Sequence, residues 1–467
     1  SARSREILTE LVPAMLAALA ATPAPDDAFV RFDRFLSQLP AGVQLFAMFH
    51  SNPQLLALVA EIMGAAPRLA EHLSRKPTVL DGVLTADFFG APPSPEDLGA
   101  DLERQLGTAP DTEAILDISR RWANDQIFQI GVQSLRRVIQ PGAAAEALSN
   151  VADVALDRLH HHIGTEFASR HGRISGDGMA IVAMGKLGSR EMTPASDLDL
   201  IFVYEASAEA SDGDRPLTVG QYFARLSQRL INAVTAQTNE GHLYEVDMRL
   251  RPSGNAGPIA SSIEAFLQYH NEAAWTWEQL ALTRARVVSG PADLARRIET
   301  VIRDTLTRER DPVALLGDVA DMRARMDKEH HTDIIWEVKH LRGGLVDIDF
   351  IAQYLQLRHA HDHPEILSTN TRTALKSIRD AGLIDPGVAD QLIEGLDLWQ
   401  GLQGLLRLTI EGYLRKDPQA DLPPALRDTL AAVGGCADFV ALEAKMRSTA
   451  SVVHAHFRDL IEVPAAT

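Results

Sequence analysis

Asp197 and Asp199 stand two positions apart at the start of an apolar run, Leu200-Ile-Phe-Val-Tyr204. The glycine-rich stretch Gly185-Lys-Leu-Gly-Ser189 lies just ahead of them. In an extended strand residues i and i+2 point to the same face, so both carboxylates can converge on one point. Adjacent anions are costly unless a cation sits between them, and hard oxygen ligands of this kind suit Mg²⁺. Glycines nearby let backbone N–H groups approach a phosphate closely. Together these parts describe a metal-dependent nucleotidyl-transfer site. A lone Asp-x-Asp is more often a solvated strand end; the glycine turn, the strand context and the segment carrying Asp247 together move the reading to a site.

The pattern resembles the nucleotidyltransferase superfamily that includes DNA polymerase β, in which a Gly-Gly or Gly-Ser turn precedes an Asp-x-Asp strand. Gly185-Lys186 and Gly188-Ser189 are both candidates for that turn. The resemblance implies a third carboxylate on a neighbouring strand, and Gly241–Gly254 supplies it as Asp247. In an extended segment Tyr244, Val246 and Met248 share one face, while Asp247, Arg249 and Arg251 share the other. An acid with two arginines facing one cleft suits a metal plus a triphosphate. Asp197, Asp199 and Asp247 are therefore the expected catalytic residues and metal ligands. Lys186, Arg284 and Arg286 can hold the β- and γ-phosphates; the alternative for the arginines is surface pairing with acids such as Glu278.

Longer motifs narrow the family. Met184–Gly188, Ser196–Phe202, Val246–Gly254, Trp275–Arg286 and Leu341–Ile351 resemble, in order, the bacterial glutamine synthetase adenylyltransferases, bifunctional regulators of nitrogen assimilation. The resemblance reaches back to about Phe35–Leu80. It implies Mg²⁺ as cofactor, ATP as substrate and transfer of AMP to a tyrosine of glutamine synthetase. It also implies the PII signal protein as a partner and glutamine as an effector. Full-length members resemble two such modules in tandem. With one Asp-x-Asp module and a first residue Ser1, the chain reads as a half-length piece. His242–Asp247, Pro252–Gly254 and Ala274–Glu278 look more like the C-terminal, adenylylating module than the N-terminal, removing one. The alternatives are the phosphorolytic AMP-removing half, a PII uridylyltransferase-like enzyme, or a non-catalytic nucleotide sensor.

Other clusters have plainer readings. Asp347-Ile-Asp349 falls in a helical pattern (Leu345, Ile348, Ile351, Tyr354, Leu355), where i and i+2 diverge, so these read as helix-start acids after Gly343-Gly344. His160–His162, His330-His331 and His359/His361/His363 lack cysteines and shared-face spacing, and read as mixed surface rather than zinc ligands. Trp275 and Trp277 read as packing residues on different helix faces.

Composition sets the partners. The 467 residues carry 63 acids against 45 bases, a formal charge of −18. A phosphate-tracking nucleic-acid enzyme needs a basic stripe that this chain lacks, so a protein or small-molecule acceptor is expected. No stretch of 18 apolar residues suggests a membrane span, and the single Cys436 fits a reducing cytoplasm.

The elements that must position the site follow. Residues 1–150 read as a helical bundle, with Phe29, Phe32, Leu36 and Leu39, then Leu55, Leu58, Ile62 and Met63, at helical spacing, and with Pro53, Pro67 and Pro77 as punctuation. Residues 151–290 read as the nucleotidyltransferase domain. Its expected parts are strands at Met179–Met184, Asp199–Glu205 and His242–Arg251, a helix over Val219–Val234, and a capping box Ser261-x-x-Glu264. Residues 291–467 read as a second helical domain, with helices at Leu294–Thr307, Val319–His331, Leu345–Leu357 and Leu396–Leu414. The expected fold is α+β: a polymerase-β-like core with a small mixed sheet, flanked by helical domains and mostly helical overall.

Overall fold

A computed structural model of the chain describes residues 2–38, 42–176, 178–410, 422 and 424–466. The first region consists of α1 (Ala2–Ala20), α2 (Pro25–Ser37), α3 (Gly42–Ser51), α4 (Pro53–Ala65), α5 (Pro67–Arg75), α6 (Val79–Val83), α7 (Pro95–Leu106) and α8 (Thr112–Leu135). Pro25, Pro53, Pro67 and Pro95 each occupy the first turn of a helix. A missing N–H costs nothing there, because that position has no intrahelical acceptor. Ser94 and Asp111 cap α7 and α8 by accepting the N–H groups of Asp97 and Ala114. In α2 the buried face is Ala28, Phe32 and Phe35, whereas Phe29 is 53% exposed. The stripe expected through Phe29 and Leu36 is thus rotated, and Leu39 lies outside the described residues.

The central region opens with α9 (Pro141–His171), which runs unbroken through the boundary expected at residue 150. It then alternates: β1 (Gly178–Ala183), α10 (Gly185–Gly188), β2 (Leu198–Glu205), α11 (Val219–Thr235), β3 (Val246–Asp247), β4 (Ala260–Ser262), α12 (Ile263–Glu272), α13 (Thr276–Leu282) and β5 (Arg286–Ser289). β1 lies antiparallel between β2 and β5. The free edge of β2 pairs in parallel with β3 near its start and with β4 near its end. The sheet is therefore mixed and five-stranded, in an otherwise mostly helical chain.

Both faces of the sheet are covered, and the period-two alternation decides what covers each. Ala180, Val182, Ile201 and Val203 join a core shared with the N-terminal helices and the C-terminal region. Ile181, Ala183, Leu200 and Phe202 join a second core with α9 and α11. On α11 the expected stripe is buried at Tyr222, Phe223, Leu226, Leu230 and Val234.

Three details differ from the sequence reading. The His242–Arg251 strand shrinks to Val246–Asp247, because the chain turns at Arg251 and Gly254. The short strands β4 and β5, three and four residues long, were not anticipated. Ser262 rather than Ser261 caps α12, accepting the Ala265 N–H, since Ser261 is still in β4.

Beyond Pro291 come α14 (Ala292–Leu306), α15 (Pro312–His330), α16 (Leu345–His359), α17 (Thr371–Asp380), α18 (Pro386–Thr409), α19 (Pro424–Val433) and α20 (Phe439–Phe457). The four helices expected here are present. The last starts earlier, at Pro386, and stops at Thr409, while 411–414 lie outside the described residues. Among the described residues no helix is long and apolar enough to cross a membrane.

Candidate active site

Strand pairing brings the acids together. Asp199 and Asp247 are direct partners in the parallel β2–β3 ladder, so their side chains leave the same face on neighbouring strands. The Leu198 N–H donates to Glu245 O at 2.9 Å, which locks that register just where the carboxylates begin. On the other side the Met184 N–H donates to Asp199 O, also at 2.9 Å, and aims the end of β1 at the same spot. Asp197, immediately before β2, is exposed.

The chain then turns on Gly185, whose φ is +52°. A Cβ at that position would lie 2.9 Å from Asp199 Cγ, and closer still to its Oδ2. Only glycine fits both the backbone and the space. Of the two candidate turns, Gly185-Lys186 is the one against the carboxylate. Gly188 serves packing instead: a Cβ there would overlap the Ala183 and Arg284 carbonyls.

The electrostatics follow from this crowding. Burial, with Asp197 and Asp247 nearby, pushes Asp199 up to about 6. Asp247 is held below the usual carboxylate range, chiefly by Arg249. It accepts from Arg249 Nε at 2.7 Å and from the Arg249 N–H at 2.8 Å. Among the described residues no three His, Cys, Asp or Glu side chains converge tightly enough to hold an ion as they stand. The expected triad is thus an adjacent pair, Asp199 and Asp247, with Asp197 beside it. Like charges side by side across a ladder are destabilising without a counter-ion. Hard oxygens and a pocket wall kept open by Gly185 fit Mg²⁺ in chemistry.

The other expected residues separate into two groups. Arg249 stays with the carboxylates, while the Lys186 side chain leaves the Gly185 turn toward α18. Lys186 donates from Nζ to Gln403 of α18, and burial together with the charges of Lys339 and Arg407 lowers it to about 8. Arg249 is 76% exposed and bound only to Asp247 among described side chains. The remaining ones are committed elsewhere. Arg251 donates to Met248 O at 2.7 Å, because the strand ends before it. The Ser189 hydroxyl donates to Glu191 at 2.8 Å. Arg284 is buried between Glu191 (3.0 Å), Asp349 and Thr371, not paired with Glu278. Arg286 donates to Asp153 and to the carbonyls of Leu187 and Gly188, and so clamps the glycine turn from behind.

The plainer clusters sort similarly. Asp347 and Asp349 lie in the first turns of α16 and point to different partners, Arg323 and Arg284. Glu278 accepts from the Tyr269 hydroxyl and the Trp275 N–H, and Trp275 itself is 70% exposed rather than packed. His160 bonds Ser289, His361 bonds Thr307 O, and His363 pairs with Glu365.

A cleft of about 890 Å³ opens beside Asp197. Its walls include Arg68, His72 and Arg75 of α5, Tyr244, and two cations from the C-terminal region, Lys339 and Arg407. Sequence reasoning missed both cations, and Gln403 with them. The signal available was the non-helical Glu337-Val-Lys-His-Leu-Arg-Gly-Gly344, a polar turn carrying a lysine just before a glycine pair. A smaller, more apolar cavity of about 230 Å³ lies behind the turn, between α9 and α18. It is lined by Met192 and Gln403 but by none of the three acids.

A mixed sheet that sets paired aspartates beside a glycine turn defines a nucleotidyltransferase-type core. Residues 56–301 match the profile of the glutamate-ammonia ligase adenylyltransferase family, and residues 316–461 match that of the GlnD PII-uridylyltransferases. The chain is 46% identical over 454 residues to a bifunctional glutamine synthetase adenylyltransferase/adenylyl-removing enzyme of Rhodopseudomonas palustris, covering 97% of this chain and 46% of that protein. Enzymes of the same description from Bradyrhizobium diazoefficiens and Xanthobacter autotrophicus are each 43% identical, over 98% and 99% of this chain and 46% and 47% of their own length. The chain belongs to the glutamate-ammonia ligase adenylyltransferase family. It spans about half the length of these relatives.

Proposed function

We propose that this chain transfers AMP from ATP to a tyrosine hydroxyl of glutamine synthetase, with Asp197, Asp199 and Asp247 as its metal-binding and catalytic groups. The observation that carries the reading is the in-register pair Asp199–Asp247, closed on one side by the Gly185 turn. The carboxylates would hold Mg²⁺, which when bound supplies charge neutralisation for the triphosphate and lowers the pKa of the attacking phenol.

The chain's own groups do the rest. The leading N–H groups of the Gly185 turn lack intrahelical acceptors and are free to donate to phosphate oxygens. Lys186, on the same turn, would add a cation to the phosphates on exchanging its bond to Gln403 for them. Arg249 leaves Asp247 at little cost, because an exposed ion pair is worth only about 0–1 kcal/mol. Its release frees the Asp247 carboxylate to accept the tyrosine proton while Arg249 moves to a phosphate. The phenolic oxygen then attacks the α-phosphorus and forms the P–O bond. The bond to the bridging oxygen breaks, and pyrophosphate leaves.

The same site chemistry serves removal of AMP by phosphorolysis, so direction depends on what the acceptor presents. His242–Asp247 and Ala274–Glu278 support the adenylylating reading through their resemblance to that module. PII as a regulatory partner and glutamine as an effector belong to this proposal as well. The test uses two parallel reactions: unmodified glutamine synthetase with ATP and Mg²⁺, and the adenylylated form with orthophosphate. Incorporation of AMP in the first supports the reading. ADP released in the second, with nothing incorporated in the first, assigns the chain to AMP removal. Uridylylation of a PII protein from UTP, without either result, would assign it to the other family matched by its C-terminal region.

A further inference from the structure

Both acids of the second Asp-x-Asp are held in specific bonds, and Asp347 is fully buried. Asp347 Oδ2 accepts the Gly343 N–H at 2.6 Å, and its Oδ1 accepts from Arg323 Nε. Arg323 also donates to His340 O at 3.3 Å. The Val346 and Leu345 N–H groups donate to Lys339 O and Val338 O, at 3.1 and 2.9 Å. The turn 338–344 is thereby bound at both ends to the start of α16. Gly343 is also irreplaceable there, with φ +79° and no room for a Cβ against the Ala450 backbone.

What this rigid turn presents is Lys339. It is exposed, lines the same cleft as Asp197, and makes no hydrogen bond or ion pair from its side chain to a described residue. Lys339 and Arg407 share that cleft wall, and among the described residues neither is paired with an acid, whereas Arg284 is bonded to both Glu191 and Asp349. Unpaired like charges of this kind repel one another until a polyanion joins them.

We propose that Lys339, aimed into the cleft by the Asp347–Arg323 clamp, binds the β,γ-phosphates of the nucleotide, so that the C-terminal helical region completes the triphosphate site. This rests on the nucleotidyl-transfer reading above and adds the source of the triphosphate contact. Asp347 and Arg323 act as positioning residues.

The test is calorimetric and needs no acceptor protein: affinities of the whole chain for ATP, AMP and pyrophosphate with Mg²⁺. Lys339→Met, at an exposed position, should weaken ATP and pyrophosphate by about ten- to a hundredfold, the loss of one charge-assisted contact, and leave AMP unchanged. Lys339→Arg should recover most of the affinity. Asp347→Asn should weaken ATP by a smaller factor without changing AMP; if it melts instead, Lys339→Met decides alone. Unchanged ATP affinity in Lys339→Met, while Asp199→Asn loses Mg²⁺-dependent binding, overturns this inference and spares the functional reading. Absence of ATP binding by the unaltered chain overturns both.

Discussion

Gly185→Ala is the sharpest probe of how the site is built. The substitution adds one methyl group, and the structure states what it meets: Asp199 Cγ at 2.9 Å and Cβ at 3.4 Å, with Oδ2 closer still. Ordinary van der Waals contact requires the carboxylate to retreat by roughly 1 Å. Alanine at φ +52° adds backbone strain of about 1–2 kcal/mol. Overpacking adds about 1–3 kcal/mol, toward the low end because a carboxylate can rotate away. The expected destabilisation is therefore about 2–3 kcal/mol, which leaves a folded protein with a melting temperature lower by a few degrees. Activity should suffer far more, since a displacement of about 1 Å at a reacting centre costs on the order of 10²-fold. Melting followed by circular dichroism and AMP incorporation from labelled ATP would be measured on the same preparation. A variant that melts slightly lower and retains half its transfer rate would refute the idea that Gly185 sets the position of Asp199.

Three further outcomes are expected. Asp199→Asn should be inactive yet more stable at pH 8 without divalent cation. The folded pKa of about 6 against 3.8 means the native state binds the proton more tightly, so stability falls as pH rises from about 4 to 6, and removing the charge restores about 3 kcal/mol; denaturant melts at pH 4 and pH 8 check this. Arg284→Met should cost about 3–5 kcal/mol by leaving Glu191 and Asp349 buried without their cation, and it should alter thermal stability rather than the ATP dependence of the surviving activity. Burial lowers His160 from 6.5 to about 4, so its contribution to stability is present above pH 6.5 and lost as pH falls toward 4. His160→Gln should flatten that part of the stability profile by about 3 kcal/mol, read from melts at pH 7 and pH 4.5.

What the sequence disclosed was set by how local the cause was. β1, β2 and α11 were legible because their burial patterns are long and periodic, and the helices after Pro291 because their apolar spacing persists over many turns. β4 and β5 were not, since three or four residues carry no period and both exist only because β1 and β2 offer an edge. Asp197, Asp199 and Asp247 could be picked out from spacing and resemblance, but not the rotation of Asp247 toward Arg249, which depends on where the short strand stops. Arg284 and Arg286 illustrate the opposite case. Both were candidates for the phosphates, whereas β5 begins at Arg286 and leaves Arg284 in the turn before it, which sends one to Asp349 and the other to Asp153. Lys339 reaches the cleft, and Gln403 reaches Lys186, from far along the chain, and no local pattern announces either.

The carboxylates beside the Gly185 turn are expected to perform nucleotidyl transfer. The direct measurement follows label from α-labelled ATP onto purified glutamine synthetase, with Mg²⁺ as the only divalent cation, for the unaltered chain and for Asp197→Asn, Asp199→Asn and Asp247→Asn. The account predicts labelled acceptor with the unaltered chain and loss of at least about 10³-fold in each folded variant, several kcal/mol of transition-state stabilisation. Near-normal labelling by any folded variant of Asp199 would contradict it.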